Sequence, residues 1–87
     1  MSCEVELRKL ASLFEGRLSD DHLVVAIDYL DHAENTLALE TLCDYLCEED
    51  VALNESEYKE LLRLGVMVGA DIDAGRFRYL RGLVAAH

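Results

Sequence analysis

Apolar residues recur along this chain at the three-to-four-residue spacing of helices that bury one face. Leu7, Leu10, Ala11, Leu13 and Phe14 form the first set, with Ser2 placed to cap it and Gly16 to stop it. That predicts a helix over residues 3–15. Ser19, Asp20 and Asp21 open a second helix, which puts a hydroxyl at the N-cap and two acids at the positive end of the helix dipole. Leu18 is placed to staple against Leu23. On a helical wheel Leu23, Ala26, Ile27, Leu30 and Ala33 make a core stripe, and the helix runs to about Ala33. Asp21, Val24, Asp28 and Asp31 share another side that has no need of burial.

After Glu34, Asn35 and Thr36 a third helix begins near Leu37. Ala38, Leu39, Leu42, Cys43 and Leu46 face one way, while Glu40, Asp44 and Glu48 line up at i, i+4 and i+8 on the other. Like charges at this spacing cost a few tenths of a kcal/mol per pair. Burying each leucine is worth roughly 1.5 to 3 kcal/mol, so packing decides. Asn54 with Glu57 gives a capping-box start to a fourth helix, with Leu53 and Tyr58 as a staple. Tyr58, Leu61, Leu62, Gly65 and Val68 form its apolar face, and it ends near Gly69. Gly65 either weakens this helix by about 1 kcal/mol relative to alanine or permits a close helix contact. Asp71 or Asp73 caps a last helix with Phe77, Leu80, Leu83 and Val84 inward and Arg76, Arg78 and Arg81 as its charges. No repeat, low-complexity segment or linker interrupts the pattern. The expectation is one all-α domain over residues 1–87, a small bundle of four to five short helices.

Composition fits such a domain: 87 residues, 52% of them hydrophobic, suffice for one small core and exclude a disordered chain. Charge adds more. The net charge is -10, which argues against nucleic acid or an anionic membrane as ligand. Between Arg17 and Lys59 there is no lysine or arginine but twelve acids. A surface selected for solubility alone intersperses the two signs. A single-sign field steers encounter with an oppositely charged protein. No signal peptide or stretch of transmembrane length is visible, and the three cysteines, Cys3, Cys43 and Cys47, read as reduced thiols, so a cytoplasmic location is expected.

Conventional chemistry finds little footing. Cys43 and Cys47 share a helix face, but a structural zinc site wants four ligands and only His22, His32 and His87 are left to complete one. Free thiols are expected, with no metal and no cofactor. Asp71, Asp73 and Gly75 look like the start of a calcium loop whose remaining ligands are missing. No nucleophile motif or glycine-rich phosphate loop is present, so an enzyme is not expected. The candidate partner-binding residues are Glu40, Asp44, Glu48, Glu49 and Asp50, a second cluster of Asp28 and Asp31, and Tyr45 as an aromatic anchor.

Residues 37–65, LALETLCDYLCEEDVALNESEYKELLRLG, resemble the MafI-like and CdiI-like immunity proteins of bacterial contact-dependent growth inhibition systems. The likeness lies in the opening Leu-Ala-Leu-Glu, in Leu42-Cys43-Asp44-Tyr45-Leu46, in the acidic Glu48-Glu49-Asp50, and in Glu57-Tyr58 followed by Leu61 and Gly65. Cys47 and Ala52 stand where such proteins often carry an aromatic residue and a proline. The resemblance implies a cytoplasmic antidote that binds the C-terminal domain of a cognate toxin. Such domains are frequently nucleases, whose clefts are basic because they hold phosphates. An alternative reading is a small acidic adaptor or nucleic-acid mimic that inhibits a basic regulatory protein. A gene directly beside that of a large secreted toxin favours the first.

Overall fold

Each apolar stripe becomes a helix. A computed structural model describes residues 2–85 and holds five helices: α1 (Cys3–Ser12), α2 (Asp20–Asp31), α3 (Asn35–Glu48), α4 (Glu55–Met67) and α5 (Gly75–Gly82). No strand is present among the described residues, and the architecture is the all-α bundle that the spacing predicts. The third helix is its axis, because α3 packs against each of the other four. Its face of Ala38, Leu39, Leu42, Cys43 and Leu46 is fully buried. Leu7, Leu10 and Phe14 close over it from the N-terminal side, Leu23 and Leu30 from α2, Leu61 and Leu64 from α4, and Phe77 and Leu80 from α5. None of the described helices is long and apolar enough to cross a membrane.

Helix starts follow the sequence where a side chain is free to cap. Ser2 accepts the Val5 N–H at 3.3 Å. Asn54 accepts the Glu57 N–H at 2.7 Å while Glu57 accepts the Asn54 N–H at 3.0 Å, completing the capping box. Two expected caps are not made. Ser19 holds the N-cap position of α2, but its hydroxyl is drawn to Glu49 at 2.8 Å instead of to its own helix. The N-cap of α5 is Ala74, because the Asp71 carboxylate accepts the Asp73 N–H at 3.0 Å in a local turn upstream.

Helix exits share one design. At the end of α2 the Glu34 N–H reaches the Tyr29 carbonyl and the Ala33 N–H reaches that of Leu30, with Ala33 left-handed at φ 58°. The end of α3 repeats this with Val51 to Leu46, Asp50 to Cys47, and Asp50 at φ 49°. So does the end of α4, where the left-handed residue is Gly69. These are Schellman exits, and two of the three do without the usual glycine. Ala33 therefore serves the turn and is exposed, not part of the core stripe.

Other departures have equally local causes. The first helix stops at Ser12, and a tight turn over residues 13–18 points Phe14 and Leu18 inward while Leu13 is left 52% exposed. Leu83 and Val84 lie beyond α5, where the chain passes beside the α3–α4 connection: Leu53 donates to the Leu83 carbonyl and accepts from the Ala85 N–H, both at 3.0 Å. Gly65 is resolved in favour of close approach. A Cβ there would stand 3.1 Å from Ile72 Cγ2 and 3.2 Å from Phe77 Cζ.

Candidate functional site

The short turn after α2 folds α3 back against it, so the start of α2 lies beside the end of α3. His22 stacks flat on Tyr45 there, ring centroids 3.7 Å apart and planes 3° from parallel. The His22 Nδ1 also pairs with the Glu49 carboxylate. Glu49 accepts the Ser19 N–H at 3.1 Å as well as its hydroxyl. The Ser19 hydroxyl above all, with His22 and the Ser19 N–H, holds the Glu49 carboxyl below the usual carboxylate range despite the opposing effect of burial. Glu49 thus ties the two helices together.

Around this knot the acids accumulate. Asp20, Asp21 and Glu48 are exposed and form no ion pair with a described residue. Asp50 accepts the Tyr79 hydroxyl from α5, and this bond raises the tyrosine's pKa. One end of the α2–α3 hairpin therefore gathers Asp20, Asp21, Glu48, Glu49 and Asp50 about a half-buried Tyr45 that His22 holds in place.

The other candidates are placed differently. Glu40 and Asp44 flank Arg76 of α5, each at 2.9 Å from its guanidinium. Burial works against that charge, but the Asp44 and Glu40 carboxylates outweigh it and raise the Arg76 pKa. The acidic stripe on α3 is thus partly neutralised by a base remote in sequence, which corrects the reading of a run without compensation. Asp28 and Asp31 do not join the hairpin end. They sit toward the far end of α2, about 10 Å and 15 Å along the helix from Asp21 at 1.5 Å per residue. Asp31 pairs with Arg8 at 2.6 Å and Asp28 lies 3.7 Å from His32, whose pKa is raised by the Asp28 carbonyl and then its carboxylate.

No family model, curated protein or solved structure matches this chain. Function must be argued from the site itself. Its thiols offer no ready nucleophile: burial pushes Cys43 far up, and burial with the Asp44 charge pushes Cys47 up to about 11. Among the described residues no group of three or more His, Cys, Asp or Glu is arranged to hold a metal ion, and His87 lies outside them.

Sequence reasoning missed His22, Ser19, Arg76 and Tyr79 as parts of this surface. One signal was available. His22 and Tyr45 are equidistant from the Ala33–Glu34 turn, so an antiparallel hairpin brings them side by side. The Arg76 and Tyr79 contacts join α5 to α3 across long separations that no local pattern encodes.

Proposed function

We propose that this protein is a non-enzymatic immunity protein that acts in the cytoplasm. It binds the basic domain of a cognate toxin, in our reading a nuclease, and blocks it. The carrying observation is the acidic end of the α2–α3 hairpin in a chain of net charge -10. A nuclease cleft presents lysines and arginines to phosphates, and exposed carboxylates such as Asp21 and Glu48 offer them an alternative set of oxygens. Tyr45, already stacked on His22, adds an aromatic surface whose side chain loses little freedom on binding.

The test is co-expression with any toxin-like domain that a gene adjacent to this one encodes, followed by co-purification and nuclease assay. Asp21→Lys with Glu48→Lys should leave the helical circular dichroism intact, weaken binding at least about tenfold and flatten its salt dependence. Neither residue is in an ion pair with a described residue, unlike Glu40 and Asp44, so the fold is little disturbed. A toxin domain that is neither captured nor inhibited by the native protein would overturn the reading.

A further inference from the structure

We propose that the groove between α1 and α2 is a second docking site, which receives a lysine or arginine side chain from a protein partner. The inference rests on the reading of a basic partner and extends it to a surface that the acidic stripe of α3 does not include. The groove has a volume of about 320 Å³ and is walled by Ala11, Leu23, Val24 and Ile27. Glu15 and Asp20 stand at its border, and neither forms an ion pair with a described residue.

The bases nearest to these acids are engaged elsewhere. Arg17 follows Glu15 by two residues, but its guanidinium turns to α4, where it binds Glu57, and to the carbonyls of Leu13 at 3.0 Å and Ala52 at 3.3 Å. Arg8 also lines the groove, but Glu4 at 3.1 Å and Asp31 at 2.6 Å hold it. An apolar trough beside two carboxylates suits a side chain with an apolar stem and a cationic head.

Charge also decides against a second copy of this chain as occupant. Val24 is 65% exposed and Val25 38%, which gives α2 an outward apolar strip. Asp20, Asp21 and Asp28 flank that strip and the helix has no Lys or Arg, so pairing it with its own copy would bring like charges together. A basic partner meets no such barrier. Asp20 adjoins Ser19, which binds Glu49, so the groove and the acidic hairpin end form one continuous surface.

The probe is a short amphipathic leucine–lysine peptide titrated into isotope-labelled full-length protein, with its leucine–glutamate counterpart alongside. Saturable amide shifts are expected at Ser12, Glu15, Asp20 and Val24 with the lysine peptide alone. Glu15→Gln with Asp20→Asn should weaken binding about tenfold, and Val24→Ser should weaken it as well. Glu34→Gln with Asp73→Asn removes the same charge outside the groove and should leave the affinity within about twofold. Shifts centred on Glu48 and Asp50, equal loss in both charge pairs, or no binding would each overturn the groove. Its failure is separable from that of the immunity reading. A toxin domain captured equally by native protein and groove variants refutes the groove alone, and a groove that binds the peptide while no toxin domain is captured refutes immunity alone.

Discussion

Glu57 is the one charged residue buried among those described, 8% exposed, and its removal tests how the turn at residues 13–18 is held to α4. Its carboxylate accepts the Asn54 N–H at 3.0 Å and binds both terminal nitrogens of Arg17, whose guanidinium also lies over the Phe14 ring at 4.8 Å. An ion pair with one end buried falls between about 0.2–1 kcal/mol for exposed pairs and about 3–5 kcal/mol for breaking buried ones, hence about 2 kcal/mol here. The reciprocal half of the capping box adds about 1 kcal/mol. Glu57→Ala should therefore cost about 3 kcal/mol and lower the melting temperature by about 15 °C. Glu57→Gln keeps an oxygen for the Asn54 N–H but loses the charge, and should cost about 2 kcal/mol. Burial alone would raise the Glu57 pKa, yet Arg17 and the Asn54 N–H bring it below the usual range. A depressed carboxylate stabilises the fold above its unfolded pKa, about 4.3, and loses that contribution as pH falls through the folded value. Urea melts followed by far-ultraviolet circular dichroism should thus show a large gap between native and Glu57→Gln proteins at neutral pH and a shrinking one in acid. A glutamine variant as stable as the native protein, or a gap that does not change with pH, would refute the reasoning.

Two backbone substitutions should move stability in opposite directions. Ala33→Gly relieves a left-handed alanine and should raise stability by about 0.5–1 kcal/mol, the penalty of that conformation less the greater chain entropy of glycine; a lower urea midpoint would contradict the Schellman reading. Gly65→Ala gains about 1 kcal/mol of helix propensity but forces a methyl against Ile72 and Phe77, so a net loss of about 1 kcal/mol is expected. A stabilised variant would show that the α4–α5 contact yields more readily than its distances imply.

What was legible in the sequence was whatever a helix does by itself. The inward face of α3 could be read residue by residue from Ala38 to Leu46, because a buried stripe leaves one pattern at one period. The Asn54–Glu57 box was legible for the same reason, both partners lying within one turn. Illegible was the competition between local and distant partners. Ser19 and Asp71 look like caps, yet each has another partner close by. Glu40 and Asp44 look unopposed until the bundle brings α5 and its Arg76 across them. The unpaired acidic surface is thus shorter along α3 than the sequence pattern implies, and it takes in the exposed Asp20 and Asp21 at the start of α2.

The absence of any lysine or arginine from both α2 and α3 has a consequence beyond local contacts. Among the helices α2 touches only α1 and α3, so it forms an edge of the molecule without contact to α4 and α5, which carry Lys59, Arg63, Arg76, Arg78 and Arg81. Charge separated in this way gives the whole protein an electric dipole moment with its negative pole on the α2 side. In the field of a cationic surface such a body experiences a torque as well as a pull. Facing a cationic surface, it would turn its negative edge forward while still at a distance, so that fewer collisions would be wasted on the wrong face.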